Sequence, residues 1–243
     1  MAFPIRAITL DLDDTLWPIA PAIDRAEAAL DAWLLAHAPR AAARWPLPAR
    51  RRLRDEVDAE HPRLSHDFTR QRLITLERML RDSGEDVGLV DAAFEAYFAA
   101  RCQVEHYPDS VDALQRLAAR VPLAALSNGN ACLARIGLMP LFQFQLGARE
   151  HGAAKPAASI FHAACVQLGC APAQVLHVGD DVELDVVGAA HAGLRTCWIN
   201  RGDADGRPRA WPSRHPRPDL EFPTLAALAD WLDAAQAPSR NAA

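Results

Sequence analysis

Apolar positions along the chain follow two different rhythms. Between Trp17 and His106 they recur three and four residues apart, first at Ile23, Ala26, Leu30, Trp33 and Leu34. The same spacing returns at Phe68, Leu73, Leu76 and Leu80, and again at Val90, Phe94, Tyr97 and Phe98. It gathers side chains on one face of a helix and predicts amphipathic helices. The first ends near Pro39, and Pro46-Leu47-Pro48 opens a second, very basic one through Arg50-Arg51-Arg52 and Arg54 towards His61-Pro62. A third is expected from about His66 to Ser83-Gly84, and a fourth from Leu89 to Cys102. Four helices in a row with no strand signal predict a small helical module over residues 17–106.

Outside that module, short apolar runs alternate with helical stretches. Ala7, Ile8 and Leu10 belong to a buried strand, and Pro122–Leu126, Phe142–Leu146, Gln174–Val178 and Thr196–Ile199 read as further strands. Helices are expected at Ser110–Arg120, Ala157–Leu168 and Val186–Ala192, with a closing helix at Leu225–Leu232. Strands alternating with helices of this length imply parallel pairing, so the fold class is α/β with a doubly wound, Rossmann-like sheet. The first strand belongs with the later ones, which makes the helical module an insertion. The expected division is a core of residues 1–16 and 107–236, an inserted domain of 17–106 and a frayed tail from 237 to 243. Residues 200–218 read as an irregular loop.

Composition narrows the function. Half of the 243 residues are apolar, enough for a sizeable core, and a net charge of −5 argues against a nucleic-acid surface. The five cysteines form no C-x-x-C pair, so neither a disulfide framework nor a zinc site is expected. No apolar run reaches membrane-spanning length and no leader-like segment precedes Asp11, which points to a cytoplasmic protein. Lys155 is the single lysine among 26 basic residues. Arginine cannot always replace a compact ammonium, so this position stands out.

Candidate chemistry gathers at the strand ends. The first strand runs into Asp11-Leu12-Asp13-Asp14-Thr15, and crowding carboxylates there costs stability unless a cation or a proton offsets it. Ligands of parallel sheets bind outside the carboxyl ends of the strands. Those ends carry Asp11 and Asp13, then Ser127-Asn128, the approach to Lys155, and Asp180-Asp181. A set of carboxylates, a hydroxyl and one ammonium suits Mg²⁺ and a phosphate ester. Lys155 and Ser127 would bind phosphate oxygens, Asp11 would be a carboxylate nucleophile, and Asp13 would serve as general acid and then base. Arg50-Arg51-Arg52 is expected to be a solvated helix face, and His177 a hydrogen-bonded core histidine.

Asp11-Leu12-Asp13-Asp14-Thr15-Leu16, Ser127-Asn128-Gly129, Lys155-Pro156 and Gly179-Asp180-Asp181 with Asp185 resemble the four ordered motifs of haloacid dehalogenase-superfamily phosphatases. The likeness spans the whole chain, and the helical insertion lies where that family carries its cap domain. It implies Asp11 as nucleophile, Asp13 as acid/base, and Ser127, Asn128 and Lys155 around the phosphate. It further implies Mg²⁺ on Asp11, Asp180 and the Asp13 main-chain carbonyl, with Asp181 and Asp185 behind, orienting the metal's waters or Lys155.

His66-Asp67-Phe68-Thr69-Arg70, Ser127-Asn128-Gly129-Asn130-Ala131, His151–Pro156 and Leu176–Asp181 are similar to the bacterial flavin mononucleotide (FMN) phosphatase branch. That branch also acts on 5-amino-6-(5-phospho-D-ribitylamino)uracil, and the likeness implies a small phosphate ester of this kind as substrate. His66 and Arg70, four apart on a helix, would share a face and with Trp17 grip a flat ring and a polyol chain. Three other readings remain open. They are dehalogenation on the same fold, a phosphoglycolate-type or sugar phosphatase, and a phospho-accepting receiver domain. Asp13 argues against the first, since no alkoxide would need its proton; the motif order and the inserted helices argue against the last.

Overall fold

A computed structural model of the chain describes residues 4–203 and 205–235; the expected frayed tail lies outside them. Six parallel strands form one sheet in the order β3-β2-β1-β4-β5-β6. They are β1 (Ala7–Leu10), β2 (Leu123–Ser127), β3 (Phe144–Gly147), β4 (Val175–Gly179), β5 (Arg195–Ile199) and β6 (Leu220–Phe222). Every residue of β1, β2 and β4 is buried, as expected of strands covered on both faces. Alternation along β1 serves both. Ile8 and Leu10 face the cluster that holds Leu114 and Leu117 of α6 (Ser110–Ala118) and Leu225, Leu228 and Leu232 of α11 (Leu225–Ala235). Ala7 joins the opposite cluster, with Ile160 and Phe161 of α9 (Ala158–Leu168) and Ala189 of α10 (Gly188–His191). The strand order reverses between β1 and β4, the crevice where doubly wound sheets bind ligands.

Between β1 and α6 the chain leaves the sheet for a helical insertion with its own core. It contains α1 (Ile19–His37), α2 (Pro39–Arg44), α3 (Leu47–Glu60), α4 (Phe68–Asp82) and α5 (Val90–Arg101). Leu30, Leu34, Leu53, Leu76, Met79 and Tyr97 build that core. The expected four helices are thus five, because Pro39 starts a new short helix at its own N1 position rather than a loop. Two connections join insertion and sheet, and the Tyr107 N–H donates to the Leu16 carbonyl at 3.0 Å, fastening them side by side.

Two further expectations are corrected, and one strand is added. Strand β6 follows the 200–218 loop; three residues are too few to show a period. Arg51 and Arg52 are exposed, but Arg50 is 3 % exposed and pairs with Glu27 at 3.4 Å and Asp31 at 2.5 Å. Arg72 grips the other Glu27 oxygen at 2.7 Å, so a buried ion network lies where a solvated face was expected. Helix α4 starts at Phe68 with Asp67 as its cap, accepting from the Arg70 N–H, so His66 sits in the preceding turn and shares no helix face with Arg70. Two four-residue helices, α7 (Leu133–Ile136) and α8 (Ala148–His151), complete the core. The five thiols are free.

Candidate active site

The turn after β1 brings three carboxylates to the crevice. Asp14 takes a positive φ of 58°. Its N–H donates to the Trp17 carbonyl at 2.7 Å and its Oδ1 accepts from the Ile19 N–H at 2.9 Å, so the turn is tied into the start of α1. Asp11 lies at the tip of β1 and is 8 % exposed.

Lys155 is the hub. Only 3 % exposed, its Nζ donates to Asp11 Oδ1 at 2.5 Å, Asp185 Oδ1 at 2.7 Å and the Leu126 carbonyl at 3.0 Å. Burial opposes its charge, but the two carboxylates outweigh that and hold its pKa above the ordinary lysine range. Asn128 fixes the lysine's backbone from both sides. Its Nδ2 donates to the Lys155 carbonyl at 2.9 Å, and its Oδ1 accepts from the Lys155 N–H at 2.8 Å. The Asn128 side chain thus positions the lysine, where the sequence suggested a contact with phosphate. Ser127, 1 % exposed, accepts from the Gly129 N–H at 3.0 Å and shapes the turn after β2.

Asp185 is held from three directions. Besides Lys155, it accepts from His177 Nε2 at 3.1 Å and from the Asp181 N–H at 3.0 Å. His177 is the hydrogen-bonded core histidine expected; burial lowers its pKa, and Nδ1 meets Thr9 Oγ1 at 2.9 Å. A neutral ring facing an acceptor-only carboxylate donates from Nε2 and accepts at Nδ1. Gly179 must lack a side chain, since a Cβ there would lie 2.2 Å from the Asp185 carboxyl carbon. Asp181, expected near a metal's waters, turns Oδ1 to cap the helical turn that follows, accepting from the Glu183 and Leu184 N–H groups at 2.8 Å each.

Asp11, Asp180 and Asp185 each offer a carboxylate oxygen, all within 4.8 Å of one another. Burial first, then the neighbouring Asp185 and Asp14, push Asp180 up to about 7. Burial likewise raises Asp11 well above the carboxylate range, against the pull of Lys155. Thr15 Oγ1 bridges the two, 3.5 Å from Asp11 Oδ2 and 3.4 Å from Asp180 Oδ1. An all-oxygen, acid-rich cluster short of positive charge fits a hard divalent cation. With Asp185 already engaged, Asp11 and Asp180 are the donors left for it.

Asp13 stands apart from that cluster. Trp17 Nε1 donates to its Oδ1 at 2.8 Å, and Arg101 Nη2 reaches both its oxygens, at 2.7 and 2.6 Å. Trp17 is fully buried, edge-on to His106 with ring centroids 5.7 Å apart. It holds Asp13 and offers no face to a substrate, which corrects its expected role as a ring-gripping residue. Arg101 was missed in the sequence because its partner lies 88 positions away. Arg209 was missed too: from the 200–218 loop it donates to the Asp180 carbonyl at 2.8 Å.

A cavity of about 540 Å³ opens beside Asp13 between insertion and sheet, lined among others by Asp58, Phe68, Arg72, Tyr97 and Arg101. A second, of about 330 Å³, lies across Phe68 and Asn130, with His66 and Phe98 in its wall. Arg70 is exposed on α4 and lines neither.

Residues 5–193 match the family model of haloacid dehalogenase-like hydrolases. The 5-amino-6-(5-phospho-D-ribitylamino)uracil phosphatase YigB of Escherichia coli (strain K12) is 35 % identical over 228 residues, covering 92 % of this chain and 94 % of that protein. The phosphoserine phosphatase of Thermus thermophilus is 34 % identical over 146 residues, covering 56 % and 59 %. A solved structure described as a 2-haloacid dehalogenase from Pseudomonas syringae pv. Tomato DC3000 superposes with a TM-score of 0.87. It is 35 % identical and covers 95 % of this chain and 99 % of its own. Among the described residues no helix is long and apolar enough to cross a membrane.

Proposed function

The chain belongs to the haloacid dehalogenase-like hydrolase family and is a phosphatase, and on that premise we propose that it hydrolyses a small phosphomonoester through an aspartyl-phosphate on Asp11. The substrate proposed is the riboflavin precursor 5-amino-6-(5-phospho-D-ribitylamino)uracil or FMN. The name of the Escherichia coli relative supports this choice. So does a cavity whose polar wall suits a hydroxylated chain and whose half-exposed Phe68 suits a flat ring.

The observation that carries the reading is Asp13, a second carboxylate fixed at the wall of that cavity two residues after Asp11. Attack of an Asp11 carboxylate oxygen on phosphorus breaks the bond to the ester oxygen, which leaves as the alcohol with a proton from Asp13. Asp13 then takes a proton from water as the water oxygen attacks phosphorus, releasing phosphate and the free Asp11 carboxylate. Lys155 holds Asp11 in place and neutralises charge on the phosphoryl oxygens, with Ser127 as a hydrogen-bond donor to them. The cation proposed is Mg²⁺, held by Asp11, Asp180 and the Asp13 carbonyl, where it supplies further positive charge for those oxygens. Closure of the insertion over the sheet would exclude bulk water from the phospho-enzyme.

Phosphate release should be measured with and without Mg²⁺ on FMN, the ribitylaminouracil phosphate, phosphoglycolate and sugar phosphates. Preference for the first two is expected; flat activity across the panel discards the substrate proposal and keeps the chemistry. Asp11→Asn should lower turnover by roughly 10³-fold or more without unfolding the protein. A dehalogenase reading draws support from the name of the Pseudomonas structure. It needs no acid such as Asp13, and chloride release from 2-chloropropionate tests it directly.

A further inference from the structure

Arg101 is the last residue of α5, the point where the insertion hands the chain back to the sheet. Its side chain is 1 % exposed, yet it belongs to the active centre of the other domain through Asp13. The pairing is unusual in form. A guanidinium normally meets a carboxylate as a fork, two nitrogens to two oxygens. Here a single nitrogen, Nη2, serves both Asp13 oxygens, while the buried Nε and Nη1 have no partner. A buried donor without a partner costs stability, so a tether selected only for stability would be expected to use the fork.

The neighbourhood is shaped around the contact. Trp17 Nε1 fixes Asp13 Oδ1 from the core side. Gly129 admits the arrangement from the turn after β2, because a Cβ there would stand 2.5 Å from Asp13 Oδ2 and 3.5 Å from Arg101 Nη2. All three elements leave the Asp13 carboxylate one pose, at the wall of the 540 Å³ cavity that Arg101 also lines.

We infer that Arg101 is a positioning residue for proton transfer by Asp13, so that the acid/base group is in register only when the end of α5 is seated against the sheet. The inference rests on the phosphatase reading and on Asp13 as its acid. It makes a statement about the insertion that substrate contacts do not: part of its work is to set the geometry of the reacting groups. Proton transfer is sensitive to displacements of a few tenths of an ångström, whereas displacement of a leaving oxygen that needs no proton does not depend on the pose of Asp13.

Two esters of similar size separate these effects. Benzyl phosphate has an alkyl leaving oxygen that needs a proton; 4-nitrophenyl phosphate has one that departs without it. For Arg101→Met, kcat/KM on benzyl phosphate should fall roughly 10- to 100-fold, a part of what general acid catalysis supplies, with 4-nitrophenyl phosphate within about threefold of wild type. Asp13→Asn should show the same selectivity, and adding Arg101→Met to it should cost little more, because both act through one group. Arg101→Lys keeps the charge without the planar reach and is read by the same ratio if the methionine variant does not fold. Equal losses on both esters, or fully additive losses in the double variant, would overturn the inference and leave Arg101 a structural tether. A wild type that hydrolyses no phosphomonoester would instead overturn the phosphatase premise, and the inference with it.

Discussion

Lys155 carries more of the site than any other side chain, and its surroundings say what its loss would do. Its ammonium is the positive charge between two buried carboxylates, Asp11 and Asp185, at 2.5 and 2.7 Å. Removing one partner of a buried pair leaves an uncompensated charge, so Lys155→Ala should destabilise the fold by about 3 kcal/mol, read from denaturant midpoints. It should also lower kcat/KM at least tenfold where the fold survives; unchanged kcat/KM would exclude Lys155 from phosphate binding. Of the residues that could be found in the sequence, Asp11, Ser127 and Asp180 share a property: each lies at or beside the carboxyl end of a strand with a recognisable apolar run, while Lys155, beyond β3 and α8, stood out as the single lysine. Arg101 and Arg209 lack that property. Arg101 ends a helix pattern and Arg209 sits in a loop, and neither position has a period that ties it to Asp13 or Asp180. Trp17 could be seen, but only its hydrogen bond to Asp13 reveals that it works from inside the core.

At the level of elements, caps and ion pairs join the ends of the chain to its middle. Asp109 is an example. Its Oδ2 accepts from the Leu225 N–H at 2.8 Å and the Ala226 N–H at 3.3 Å, capping α11 from over a hundred positions away. Its Oδ1 meets Arg201 Nη1 at 2.9 Å. Partial burial works against its charge, but Arg201 and the two N–H groups prevail and hold its pKa below the ordinary carboxylate value of 3.8. A carboxyl depressed in the folded state contributes stability that is complete above its unfolded pKa and lost as pH falls through the folded one. Wild-type stability should therefore decline below about pH 4 partly through this group. Asp109→Asn should be less stable at neutral pH by about 1 kcal/mol, with the gap narrowing as the medium is acidified. A gap that stays constant from pH 7 to pH 3 would refute the assignment. Helix periodicity predicted the spans of α1 and α5 well; α1 buries Ala26, Leu30 and Leu34 of its stripe, whereas in the stripe of α5 only Tyr97 is buried and Val90, Phe94 and Phe98 are half-buried. It missed that Arg50 and Arg72 meet on Glu27, because a charge in a helix pattern reads as solvent-facing until its partner on another helix is known.

Across the whole molecule, the sheet carries the groups proposed to react and the insertion supplies what surrounds them. This division is why the cluster of carboxylates and lysine could be read from the sequence while the walls of the cavities could not. Motifs at strand ends converge by topology, but the faces of α3, α4 and α5 that meet the sheet depend on how the insertion docks. Phe68 marks that dependence. It reads as one of a helix's apolar stripe, yet it is 49 % exposed and lines both cavities. Beside it, Asn130 Nδ2 reaches Thr69 Oγ1 at 3.4 Å across the two domains. A half-exposed aromatic contributes little to stability, so Phe68→Ala should alter it by no more than about 0.5 kcal/mol. An aromatic that stacks on a substrate ring is worth about 0.5–1.5 kcal/mol, so KM for FMN should rise by roughly three- to tenfold. Ribose 5-phosphate, with no aromatic ring, should keep its KM. A matching rise for both esters would mean that Phe68 governs the docking of the insertion rather than the choice of ring, and the flat-ring part of the substrate proposal would fall with it.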